Sequence, residues 1–160
     1  MKNNNSSIKT VVAVGIGAAL FFVLGRFVAI PSPVPNTNIS LQYAVLALLA
    51  AMYGPVAGGL IGFIGHTLID LSWGGSPWWS WVIASAFVGV VVGLFAKKLD
   101  LQEGEFGKKK MAAFTAANVV AHLLAWIVVA PVLDILIYAE PAKKVFAQGA
   151  FAAVSNIITA

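Results

Sequence analysis

His66 and Asp70 stand four residues apart, a spacing that puts both side chains on one face of a helix. An imidazole beside a carboxylate can bind a metal, relay a proton or simply form a hydrogen-bonded pair. The sequence supplies no third ligand at a matching interval, so the hydrogen-bonded pair near a membrane interface is the expected reading and no metal is assigned. The only other histidine, His122, repeats the interval with Asn118. Neither histidine belongs to an H-E-x-x-H arrangement. The nearest fragment to a phosphate-binding G-x-x-x-x-G-K-[ST] loop, Gly104 to Lys108, is too short, so this chain does not hydrolyse ATP by itself. With zero cysteines, disulfides, thiolate metal sites and cysteine nucleophiles are excluded. No nucleophile and base share a spacing that would let them meet, and the chain reads as a non-enzyme without a cofactor.

These polar residues sit in an apolar chain. Of 160 residues, 60% are hydrophobic and 10% charged, whereas a soluble domain carries about 25% charged residues. A soluble enzyme and a disordered chain are both excluded, and lipid is the solvent for most of the molecule. Spans are expected at about 8–30, 39–53, 55–71, 78–97, 110–138 and 142–160. They make an all-α, six-helix membrane bundle in a single domain, residues 1–160. Gly54-Pro55 breaks the long apolar stretch after Ile39, and Pro131 is expected to kink the fifth span. Lys97 to Lys110 reads as a solvated loop. The last segment, Val145 to Ala160, is shorter than the ~20 residues of a usual crossing, so a truncated sixth helix with further natural sequence beyond it is expected.

Lys2, Lys9, Lys97, Lys98 and Lys108 to Lys110 fall on one side of these spans. The excess of basic residues in cytoplasmic loops makes that side, with the N-terminus, the inner face of a bacterial plasma membrane. Lys143 and Lys144 fall on the other side, against the rule. The outer face then holds the proline-rich loop Pro31 to Asn38, the Trp73 to Trp79 loop and the Glu140 turn.

Arg26 ends the first span beside that loop, where it either snorkels to headgroups or presents its fork of donors to a ligand. Asp134 is its expected acidic counterpart. Asn118 and His122 lie deeper, suited to an interhelical hydrogen bond or a cavity wall. Phe27, Tyr43, Trp73, Trp78, Trp79, Trp81 and Tyr138 crowd the outer side. Individually they suit a membrane interface; together they favour a flat, ring-containing ligand. The loop's prolines limit the entropy of ordering, and Asn36 and Asn38 supply hydrogen bonds, so it is expected to close over such a ligand. Ala13 and Gly17, like Gly15 and Ala19, are four apart, a small-residue spacing that permits close helix contact with a partner or within the bundle.

The succession Thr10-Val-Val-Ala-Val-Gly-Ile-Gly-Ala-Ala-Leu20, Pro31-Ser-Pro-Val-Pro-Asn-Thr-Asn38, Tyr53-Gly-Pro55, Gly62-Phe-Ile-Gly-His66 and Asp70 resembles the substrate-binding subunits of energy-coupling-factor vitamin transporters, and most closely the riboflavin-type branch. The resemblance covers essentially the whole chain. It implies a six-helix subunit that binds a micronutrient from outside and joins a membrane coupling protein, the T subunit, and two ATP-binding subunits. It implies no nucleic-acid partner. In such subunits an A-x-x-x-A motif on the first helix meets the coupling protein, and Ala13-x-x-x-Gly17 matches it with glycine in second place. The ligand is expected under the Pro31 to Asn38 loop, with Arg26, Asn36, Asn38, His66, Asp70, Trp78, Trp79, Asn118, His122 and Asp134 as candidate contacts. Riboflavin is the first expectation, and hydroxymethylpyrimidine, the pyrimidine precursor of thiamine, the second. A structural membrane subunit without a ligand is the alternative from another class.

Overall fold

The computed structural model describes residues 2–101 and 106–160; Gln102 to Glu105, within the polar loop expected after the fourth span and including Gly104, lie outside the described residues. The chain is helical almost throughout. Helix α1 (Lys2–Phe27) stops earlier than expected, because the next residues enter a small ladder. Strand β1 (Ile30–Pro31) pairs antiparallel with β2 (Asn38–Ile39), Ile30 opposite Ile39 and Pro31 opposite Asn38. Pro31 is tolerated because a two-stranded ladder has only edges. The expected plain loop is therefore a hairpin, and its tip is internally bonded. The Ser32 and Thr37 hydroxyls lie 2.5 Å apart, and that of Thr37 donates to Val34 O at 2.6 Å. Asn36 takes a left-handed backbone with φ 59°, which asparagine adopts more readily than most residues.

Helix α2 (Gln42–Tyr53) and α3 (Pro55–Ser72) part at Gly54, whose φ of 90° requires glycine. Pro55 then occupies a first-turn position of α3 where no N–H is needed. Helix α4 (Trp79–Leu94) is followed by the short α5 (Ala96–Leu99). Leu99 is fully buried, so the segment expected as a solvated loop begins by folding back onto the core. Helix α6 (Lys108–Leu123), a π-helical segment (Leu124–Val129) and α7 (Ala130–Tyr138) run on without a break. The π turn is how Pro131 is accommodated. Proline lacks an N–H and crowds the carbonyl four residues back, and a widened turn before it relieves both. The chain closes with α8 (Ala142–Thr159).

Ser7–Phe27, Pro55–Ser72 and Lys108–Tyr138 are each long and apolar enough to cross a membrane, while Gln42–Tyr53 and Trp79–Leu94 are apolar but shorter. Large apolar side chains such as Val11, Phe27, Val56, Leu94, Leu136 and Ile158 are exposed around the outside, as lipid contact demands. Inside, α3 and α4 touch backbone to backbone. A Cβ on Gly58 would strike the Gly89 carbonyl and the reverse, and one on Gly62 would strike the Ser85 carbonyl. Small residues at intervals of about one turn allow that approach. α1 packs on α2 and α3, and α8 packs on α7 and the π segment.

Candidate functional site

The helices leave a cavity of about 670 Å³ beneath the hairpin tip, within the usual range for small-molecule sites. Tyr43 of α2, His66 and Asp70 of α3, Trp81 of α4, Trp126 of the π segment and Asp134 of α7 line it. Asn36 and Asn38 line it from the hairpin, Trp78 from the turn before α4, and Gln148 and Asn156 from α8.

Two polar networks fix its walls. In the first, Ser85 Oγ lies 2.7 Å from Tyr43 Oη and 2.6 Å from His66 Nδ1. His66 Nε2 faces Asp70 Oδ1 at 3.7 Å, an ion-pair separation rather than the expected hydrogen bond. Among the described residues no third His, Asp or Glu joins them as a metal cluster. In the second network, Asp134 Oδ1 accepts the Trp78 indole N–H at 2.6 Å and the Ser80 hydroxyl, and Oδ2 accepts the Trp81 indole at 3.1 Å. Trp78 also donates its backbone N–H to Asp70 Oδ2 at 2.8 Å. Its ring stacks on Tyr138 with centroids 4.0 Å apart. The helix carrying Asp134 ends two bonds later: Ala139 N–H donates to Ile135 O and Glu140 N–H to Asp134 O, the closing pattern of a left-handed C-terminal turn. The result is an aromatic chamber with carboxylates set into two of its walls.

The sequence matches the family model of the ECF-type riboflavin transporter S component across residues 5–160. The chain belongs to that family. A UPF0397 protein of Exiguobacterium sp. is 57% identical over 156 residues, 98% of this chain and 85% of that one. One from Enterococcus faecalis is 54% identical, covering 95% of this chain and 83% of its own length. One from Staphylococcus aureus is 52% identical, covering 99% and 86%. No solved structure matches the chain. As an ECF S component, the chain is a substrate-binding subunit of a transporter and a membrane protein.

Within this S component, six of the ten expected contacts line the cavity: Asn36, Asn38, His66, Asp70, Trp78 and Asp134. Four do not. Arg26 is not paired with Asp134; its Nε donates to Ser72 Oγ at 3.0 Å and its guanidinium lies 3.7 Å from the Trp73 ring centroid. Trp79 stacks on Phe63 and gives its backbone N–H to Tyr138 Oη at 2.9 Å. Asn118 donates to Phe114 O, and His122 Nδ1 accepts the Trp126 indole N–H at 3.0 Å, so both bonds stay within one continuous helix instead of joining two. His122 stands behind the chamber wall, its ring edge-on to Tyr43.

Ala13 and Gly17, expected where a helix could approach closely, pack inside this bundle. Both are buried, and a Cβ on Gly17 would meet Ile61 and Leu49 of this same bundle at 2.7 Å. Among the glycines and alanines of α1, Gly15 and Ala19 are the exposed ones. Sequence reasoning missed Trp126, Gln148 and Asn156. The last two are eight apart, two helical turns, and that spacing was the available signal for a polar face on α8.

Proposed function

We propose that this S component captures riboflavin from outside the cell in the chamber under the hairpin and delivers it through a T subunit and two ATP-binding subunits. The observation that carries the reading is the chamber itself: about 670 Å³, walled by Tyr43, Trp78, Trp81 and Trp126 and edged with amides and carboxylates, which is how a flat polar ring is held. Hydroxymethylpyrimidine is the second reading, favoured by Asp70, whose carboxylate can accept from an exocyclic amine. In this proposal the two shorter apolar helices and α8 cross the membrane along with the three long apolar stretches, with the N-terminus inside, and the exposed Gly15 and Ala19 of α1 offer the coupling protein a close approach in place of Ala13 and Gly17.

Mass spectrometry of small molecules released from the purified chain tests the assignment, followed by titration against tryptophan fluorescence. Release of riboflavin, or its saturable binding, is expected. A preparation that binds neither riboflavin nor hydroxymethylpyrimidine would overturn the substrate reading.

A further inference from the structure

The chamber carries a charge rule that the family name does not state. Three carboxylates line it, Asp70, Asp134 and, at the mouth, Glu140, and they are not equivalent. Asp134 is 2% exposed and takes three donors, two indoles and a hydroxyl. Those donors come from the turn and first residues of α4, so Asp134 is committed to holding that wall. Asp70 takes one donor, the Trp78 backbone N–H on Oδ2. Its Oδ1 has His66 Nε2 at 3.7 Å, too far for a hydrogen bond, and 18% of its side chain is accessible. Asp70 therefore offers an unsaturated carboxylate oxygen to whatever occupies the chamber.

The basic groups nearby are spoken for. Lys144 lines the mouth, but its Nζ lies 2.8 Å from Glu140 Oε2. Arg26 is not in the wall, and its guanidinium is held by Ser72 and Trp73. Among the described lining residues no cation remains without a carboxylate partner. An unused polar group points to a ligand independently of these charges: Asn156 is 4% exposed, lines the chamber, and its side-chain amide has no hydrogen bond among the described residues. An amide and an open carboxylate lining one chamber suit a ring carrying N–H or O–H donors.

We propose that the chamber admits a neutral or cationic, donor-bearing nitrogen heterocycle and rejects its phosphate ester, with Asp70 as the residue that sets this selection. The inference rests on the chamber being the solute site. A phosphate there would face Asp70 with no cation free to neutralise it, in a site partly screened from water where like charges at several ångströms repel strongly. The preference for the parent over its ester is expected on the order of 100-fold.

The test is a fluorescence titration of the purified full chain with riboflavin, riboflavin 5′-phosphate, hydroxymethylpyrimidine and hydroxymethylpyrimidine phosphate. Parent compound binding about 100-fold tighter than its ester is the expected result. Asp70→Asn, which keeps an acceptor for the Trp78 N–H, should shrink the gap to about tenfold by improving the ester's affinity. Glu140→Gln, which unpairs Lys144, should improve it as well. A gain of binding cannot come from a misfolded variant. An ester that binds as tightly as its parent overturns the charge rule while leaving the solute-binding reading intact, and a gap unchanged in Asp70→Asn overturns the role of Asp70. If none of the four binds, the substrate reading has failed, and the rule is judged on molecules released from the preparation: an anion overturns it, a neutral or cationic ring supports it. A preparation that binds and releases nothing overturns both.

Discussion

Gly65 stands next to His66 on α3 and faces the core, and adding one methyl there tests whether packing and site are a single unit. An ideal Cβ on Gly65 would lie 2.7 Å from Phe21 Cδ1 and 2.9 Å from Phe21 Cβ and Cγ. Carbon atoms in ordinary contact sit at about 3.5–4.0 Å, so the ring must retreat by roughly 1 Å. It has no easy way to do so. Phe21 is fully buried, with its ring edge-on to Tyr43 at 5.3 Å and near His66 at 6.3 Å. Overpacking of this kind costs about 1–3 kcal/mol, and replacing a helical glycine by alanine stabilises by about 1 kcal/mol. Gly65→Ala should therefore lose about 1 kcal/mol. Gly15→Ala has the same propensity gain with nothing within 4 Å of the new methyl, so it should gain about 1 kcal/mol. For a chain of 160 residues, that difference separates the two melting temperatures by about 4–8 °C. Thermal unfolding of both variants in the same detergent measures it. Because the displaced ring pushes on Tyr43, and Tyr43 holds Ser85 and through it His66, only Gly65→Ala should also weaken solute binding. Two variants that melt together would refute the packing argument.

Gln148→Ala removes the donor to Pro35 O, a bond of 2.8 Å; stopped-flow fluorescence should show the solute leaving about 2- to 10-fold faster, with a stability change near 1 kcal/mol. Gly17→Leu should destabilise the isolated chain by about 2 kcal/mol or more, read by thermal unfolding, because the added side chain must displace Ile61 and Leu49. Ala139 closes α7 with a φ of 52°, a region that costs an L-residue about 1 kcal/mol, so Ala139→Gly should raise the melting temperature slightly; a lower one would argue against strain at that turn.

What could be read from the sequence was what local covalent chemistry decides. Gly54-Pro55 had to end one helix and start another, and the prolines from Pro31 to Pro35 had to interrupt helix after α1. The His66 and Asp70 pairing followed from spacing alone, and both line the chamber. What could not be read was which way a uniformly apolar helix turns. Around α1 small residues lie on two sides, and in lipid neither side is polar, so nothing local separates buried Gly17 from exposed Gly15. Arg26 and Asp134 failed as a pair for a related reason. Each lies near the outer end of its helix, but depth does not give azimuth, and donors from residues 78 to 81 had already filled Asp134. Trp126 was hidden by the π turn, which shifts the helical register there from the period assumed in reading a face.

The two polar networks also decide which part of the chamber can open. The wall formed by the turn before α4 is tied to Asp70, Asp134 and Tyr138 through Trp78, Trp79, Ser80 and Trp81. Several of those bonds end on a carboxylate, where each contributes about 1.5–3 kcal/mol. Swinging that wall aside would break them together and leave Asp134 buried without partners. The hairpin tip is attached differently. Its hydroxyl and carbonyl bonds run among Ser32, Val34 and Thr37, so they travel with it. Among the described residues, the one hydrogen bond joining residues 32–37 to a helix is Gln148 to Pro35, a neutral bond contributing about 0.5–1.5 kcal/mol. Releasing it lets the tip lift as a preformed flap about the Ile30–Ile39 and Pro31–Asn38 pairs. If the chamber is the solute site, as proposed, the easier path therefore runs past the hairpin, while the carboxylate-tied wall stays in place.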